Sequence, residues 1–203
     1  MKRQTWLTVF AWLAAVPVAA AQNRSADEYT RYELLAPETA QFRILYDVTA
    51  ITPGARYYFN PIRKGSEATD ESVVDPVTGL PLPFEEVDGA AARAGGFGGA
   101  ALDTRYIRVS LPRPVPPNGE IRIRINKTYR DPKSYYQDGD TLIFDRSLGI
   151  KRNAVVLPTG YELISCNVPS QVLSEADGRI LISFINPSAG AAPLLLKARR
   201  IAR

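Results

Sequence analysis

The chain contains no histidine and a single cysteine, and its one methionine and both tryptophans, Met1, Trp6 and Trp12, fall at its very beginning. Each absence removes a chemistry. Without imidazole there is no Ser-His-Asp or Cys-His nucleophilic pair and no His-ligated zinc of the HExxH kind. A Cys-ligated zinc or an iron–sulfur site needs several thiolates, whereas Cys166 stands alone. The same solitary cysteine excludes an intrachain disulfide, so stability has to come from a packed core. An excess of one charge is also missing: 25 basic residues face 21 acidic ones, a formal +4. That excess is too small for a nucleic-acid partner, which calls for a clustered basic face that displaces phosphate counterions. With 45% hydrophobic and 23% charged residues over 203 positions, the composition is that of a globular chain.

What is present begins with a leader. Lys2 and Arg3 precede an almost wholly apolar run from Trp6 to Val18, and Ala19, Ala20 and Ala21 supply the small side chains that a signal peptidase accepts. Residues 1–21 read as a cleaved secretory signal of bacterial type, leaving Gln22 first and residues 22–203 as one domain. The apolar run falls short of the roughly 20 residues that a helix needs to cross a bilayer core, and no second long apolar run follows. The expected destination is the periplasm or the exterior.

Beyond the leader the chain reads as short strands divided by turns. Phe42, Ile44, Tyr46 and Val48 alternate with Arg43, Leu45, Asp47 and Thr49, the period-two pattern of a strand with one buried face. Ile107, Val109 and Leu111 repeat the pattern, as do Ile121, Ile123 and Ile125. Between these two runs stand Pro112, Pro114, Pro116, Pro117 and the turn pair Asn118-Gly119, so the spacing predicts adjacent strands joined by a stiff loop. Further strands are expected near residues 29–35, 57–59, 72–74, 82–87, 141–144, 154–157, 161–166, 179–185 and 193–198, with a short helical turn within 168–176. The fold class is therefore all-β, an antiparallel β-sandwich with Pro/Gly-rich connections and little helix. Residues 89–101, rich in Gly and Ala, read as a flexible loop. In the strand at 161–166, Cys166 reads as a small buried apolar residue.

Carboxylates are the abundant acid/base groups that remain. Glu85, Glu86 and Asp88 cluster at a strand end, and Asp138 and Asp140 flank Gly139 in a hairpin turn. Paired carboxyls can run glycoside hydrolysis, and a Ser147/Lys151 dyad would need a desolvated lysine. The glycine-rich stretch around Phe97 lacks the Lys-Ser/Thr of a phosphate loop. No catalytic residue, metal ligand or cofactor is assigned.

Binding residues are easier to nominate. Tyr57-Tyr58 and Tyr135-Tyr136 are adjacent pairs, so in extended backbone one ring of each pair should face outward. Tyrosine offers apolar area and a hydroxyl at little entropic cost, which suits contact surfaces. Arg130, Lys133, Tyr135 and Tyr136 fall in a segment, 126–140, read as an exposed loop and as the leading contact surface. Arg122 and Arg124 share a solvated strand face, and the basic tail from Lys197 to Arg203 reads as a frayed terminus.

Two stretches, VVDPVTGLPLPFEEV at Val73–Val87 and TRYIRVSLPRPVPPNGEIRIRINKTYR at Thr104–Arg130, resemble the hairpin and the following strand run in the amino-terminal sandwich domain of M1-type zinc aminopeptidases. The resemblance implies an antiparallel sandwich used as a platform. The family's HExxH helix and Gly-Ala-Met-Glu-Asn motif have no counterpart here, so no catalytic or metal residue carries over. The expected role is thus an exported, non-enzymatic protein with a binding or assembly role in the cell envelope or outside the cell, its partner a protein or envelope component. The alternatives are a carboxylate-dependent hydrolase of envelope polysaccharide and a self-assembling structural subunit.

Overall fold

The computed structural model describes residues 26–201, and the expected signal peptide lies outside the described residues. Three sheets make up the fold. The largest has seven strands in the spatial order β12 (Gln171–Ser174), β13 (Ile180–Ile185), β10 (Arg152–Val156), β1 (Tyr29–Leu34), β2 (Gln41–Ala50), β7 (Ile121–Arg130) and β4 (Glu67–Val74). A four-stranded sheet runs β11 (Tyr161–Cys166), β14 (Ala192–Arg200), β9 (Thr141–Leu148) and β8 (Tyr135–Asp138). A three-stranded sheet runs β3 (Tyr57–Pro61), β6 (Tyr106–Ser110) and β5 (Phe84–Val87).

The period-two pattern explains how the sheets stack. Phe42, Ile44, Tyr46 and Val48 lie on one face of β2 and are all buried. They meet the alternate residues of the four-stranded sheet: the Phe42 and Phe144 rings are 5.4 Å apart, edge to face, and the Tyr32 and Phe144 rings 5.7 Å apart. Such aromatic pairs add to the area they bury. This is the expected β-sandwich, with the three-stranded sheet contributing Ile107 and Val109 to the same core. One pairing departs from antiparallel order: β1 and β10 run parallel, from Tyr29 opposite Arg152 to Glu33 opposite Val156.

Several local expectations are corrected. The strands β6 and β7 do not pair; they belong to different sheets. The proline-rich loop between them is pinned to the turn before β3, through Val115 N to Ala55 O at 3.0 Å and Gly54 N to Val115 O at 2.8 Å, and so carries the chain across layers. Within 168–176 the chain forms β12 instead of a helical turn, because pairing with β13 overrides a weak local preference. The basic tail is not frayed up to Arg200: Lys197, Arg199 and Arg200 lie in β14, which has neighbours on both sides, and Arg199 Nε meets Glu162 at 2.7 Å.

The Gly/Ala stretch read as a flexible loop opens instead with a helix, α1 (Gly89–Ala94), capped by Asp88 Oδ1, which accepts from Ala91 N at 2.7 Å. Small residues are needed here because the chain folds back on itself. A Cβ on Gly89 would overlap the Ala101 backbone. Ala92, Ala100 and Tyr106 form a small second core beneath the helix, with Phe59 and Val87 packed on it. Cys166 packs half-buried against the main core, and Gly139 closes the β8–β9 hairpin at φ +58°.

Candidate functional site

A cleft of about 530 Å³ opens where the end of β2, the turn before β3 and the end of α1 meet. The alternation of β3 builds it. Tyr57 and Phe59 point to the outer face of the three-stranded sheet, whereas Tyr58 and Asn60 point to the sandwich interior. On the outer face the Phe59 ring stacks on Phe97, with centroids 5.7 Å apart and planes 12° from parallel. Phe97 in turn meets Tyr106 edge-on at 5.7 Å, and Tyr57 meets Phe59 at 6.3 Å. The Arg108 guanidinium lies 5.0 Å from the Tyr57 ring centroid and is held by Glu85, with Nη2 to Oε1 at 2.5 Å. Tyr57 and Phe97 remain more than a third exposed, on either side of Phe59.

Gly95 and Gly96 complete the rim. A Cβ on Gly95 would stand 2.8 Å from Phe59 Cζ, so glycine there lets the ring lie flat against the helix end. β3 is an edge strand of its sheet. Its unpaired side adjoins the cleft, and an edge of this kind offers backbone donors and acceptors to an added strand.

The other Tyr57-Tyr58 member has a structural part. Tyr58 donates to the Tyr46 hydroxyl at 3.5 Å, and burial pushes both phenols well above the ordinary tyrosine range. Burial likewise raises the Glu28 carboxyl, which is hydrogen-bonded to Tyr46.

The second nominated group is not brought to this cleft. Arg130 sits opposite Gln41 and the cleft end of the same strand pair is Ala50 opposite Ile121, about 30 Å away by strand rise. Segment 126–140 is not an exposed loop but the end of β7, a tight turn and β8. Tyr135 is fully buried, its ring 6.4 Å from both Phe42 and Phe144, and its hydroxyl donates to Leu35 O at 2.6 Å. It is a core residue, as the alternation of an extended pair requires of one member. Tyr136, Arg130 and Lys133 are exposed.

Of the nominated carboxylates, those at 85–88 are committed to structure, and Asp138 and Asp140 are exposed. Glu85 pairs with Arg108, Glu86 with Arg105, and Asp88 caps α1. Arg122 and Arg124 are answered by Asp27 at 2.7 Å and Asp47 at 2.6 Å. Ser147 and Lys151 are both exposed, so that lysine is not desolvated. Among the described residues no three His, Cys, Asp or Glu side chains gather into a metal-binding group. Phe59 and Phe97 were not nominated by the sequence, although Phe97 is the lone aromatic of the Gly/Ala stretch and for that reason conspicuous.

The fold defined by these sheets has solved counterparts. It is similar to the M1 zinc metallopeptidase of Deinococcus radiodurans, with a TM-score of 0.53 and 11% identity over 87% of this chain. A mutant of that enzyme bound to a Tyr-Ser-Ala substrate gives a TM-score of 0.53 at 12% identity. The chain spans 42% of the length of the first structure and 43% of the second. No family model and no curated protein matches this chain. The likeness to M1-type zinc aminopeptidases expected from the sequence is thus present in the fold, and it is a likeness to part of them.

Proposed function

We propose that this chain is an exported, non-catalytic β-sandwich module that binds an extended apolar segment of another protein or envelope component through the Tyr57–Phe97 cleft. The single observation that carries the reading is the partly exposed Tyr57–Phe59–Phe97 row beside the free edge of β3. Aromatic anchors of this kind supply most of the energy in protein contacts, and a strand edge supplies register. The absence of histidine and the partial likeness to zinc peptidases support a platform role without catalysis. The leader supports export.

Two measurements test the two halves. Amino-terminal sequencing of the protein from fractionated cells is expected to begin at Gln22 in the exported fraction; an uncleaved chain confined to the cytosol contradicts export. Replacing Tyr57 and Phe97 together by Ala is expected to weaken partner binding by about 2 kcal/mol or more, roughly 30-fold in Kd, with Tm nearly unchanged. Unaltered affinity in that variant places the contact elsewhere.

A further inference from the structure

Where the three sheets meet, a second and smaller cleft of about 180 Å³ is bordered by Thr30, Tyr46, Asn60, Lys127, Tyr129 and Arg146. Two of these are cations in registers that the strand pattern reserves for the core. Lys127 follows Ile121, Ile123 and Ile125 on one face of β7, and Arg146 follows Leu142 and Phe144 on β9. Their exposures are 4% and 6%.

The two charges are answered differently. Arg146 Nη1 donates to Asp131 Oδ2 at 2.8 Å, and that carboxylate is further held by Ser134 Oγ at 2.8 Å. Lys127 Nζ donates to the neutral Asn60 Oδ1 and lies 4.8 Å from the Tyr129 ring centroid. Among the described residues no carboxylate forms an ion pair with it. Glu71, whose charge reaches Lys127, is itself raised by burial, and its Oε1 is buried without a hydrogen-bond partner. Thr30 Oγ1, which interacts with the Tyr32 hydroxyl, is also buried in the wall of the cleft. A buried cation with no carboxylate in direct contact is costly. One small anion in the cleft would lie against Lys127 directly.

We propose that this cleft binds a small oxyanion, a carboxylate or phosphate group, held by Lys127 and Arg146 with the Thr30 hydroxyl as a further donor. The volume limits the ligand. A water takes about 30 Å³ of liquid, so the space fits an ion of a few heavy atoms, well below the roughly 300 Å³ at which ordinary ligand pockets begin.

The test uses the full chain as its host processes it, with phosphate and acetate as probes against chloride at equal ionic strength. The expected result is a saturable rise in Tm with one or both oxyanions and none with chloride; a response to one alone assigns the site to that anion. The rise is expected to vanish in Lys127→Met. A chloride response equal to that of both oxyanions, or a rise that persists in folded Lys127→Met, overturns the proposal. Should that variant not fold, the Lys127 side-chain resonances of the native chain decide the matter. The bound anion should move their titration upward by about one pH unit, a tenfold change in proton affinity, with Glu71, Asp131, Arg63 and Arg146 as the other charged groups facing the site. No upward movement overturns it equally.

Discussion

Lys127 and Tyr129 share the inner face of β7, and the Lys127 Nζ lies 4.8 Å from the centroid of the Tyr129 ring. Burial pulls the Lys127 amine down to about 8, an effect that nearby Arg146 reinforces and Glu71 opposes. The sign of the stability effect follows from linkage. Between about 8 and the ordinary lysine value of 10.5 the unfolded chain holds a proton at Lys127 that the folded chain has released, so the Lys127 contribution to stability rises with pH, while the raised tyrosines oppose it as pH nears 10. From pH 7.5 to 9.5 the Lys127 part of the gain, read as the difference between the native chain and Lys127→Met in urea denaturation, should be about 2 kcal/mol. An equal slope in the two proteins assigns the effect to other groups.

The tyrosines of β8 separate cleanly. Tyr135→Ala removes a fully buried ring from the Phe42–Phe144 cluster and should cost about 3–5 kcal/mol. Tyr135→Phe removes only the bond to Leu35 O and should cost about 1 kcal/mol. Tyr136→Ala, on the exposed face, should stay within about 0.5 kcal/mol. Denaturant midpoints at fixed m-value measure all three.

The ion pairs divide by burial. Asp131→Asn leaves Arg146 buried without a counter-charge and should cost about 3 kcal/mol or more. Asp27→Ala, whose partners Arg122 and Arg152 are about half exposed, should cost less than about 1 kcal/mol, and less again in high salt. Comparable losses in the two variants would contradict this division.

The strand pattern made most of the sandwich legible, since alternation at 42–48 and 121–125 follows directly from which face is buried. What it left out is long-range. The parallel pairing of β1 with β10 joins segments more than a hundred residues apart, and the separation of β6 from β7 depends on where Val115 docks. Of the candidate site, the outward member of each tyrosine pair was legible as an alternative but not which member it was. The inward cations were written in the register itself. Lys127 continues the face of Ile121, Ile123 and Ile125, so extending the period by one step would have placed a charge in the core. The α1 helix was hidden by composition: glycine and alanine suggested looseness, whereas here they permit a close approach.

The glycines of that helix should respond differently to alanine. At Gly89 the obstacle is backbone, with Leu102 Cα at 2.6 Å, so Gly89→Ala should lower Tm. At Gly95 it is the tip of the Phe59 ring at 2.8 Å, which can swing away. Gly95→Ala should therefore leave the fold intact while shifting the Phe59 and Phe97 ring resonances, because their 5.7 Å stack is disturbed. Unchanged ring signals would mean that the helix end moves instead of the ring.

The central claim is that a partner docks on the outer face of β3. A photo-crosslinking amino acid placed at Tyr57, with a second chain carrying it at the exposed Val77 as control, tests this in the source cell. A discrete crosslinked partner is expected from position 57, absent from position 77 and lost on adding Phe97→Ala. Crosslinks of equal yield and identity from both positions, or from position 77 alone, would contradict it.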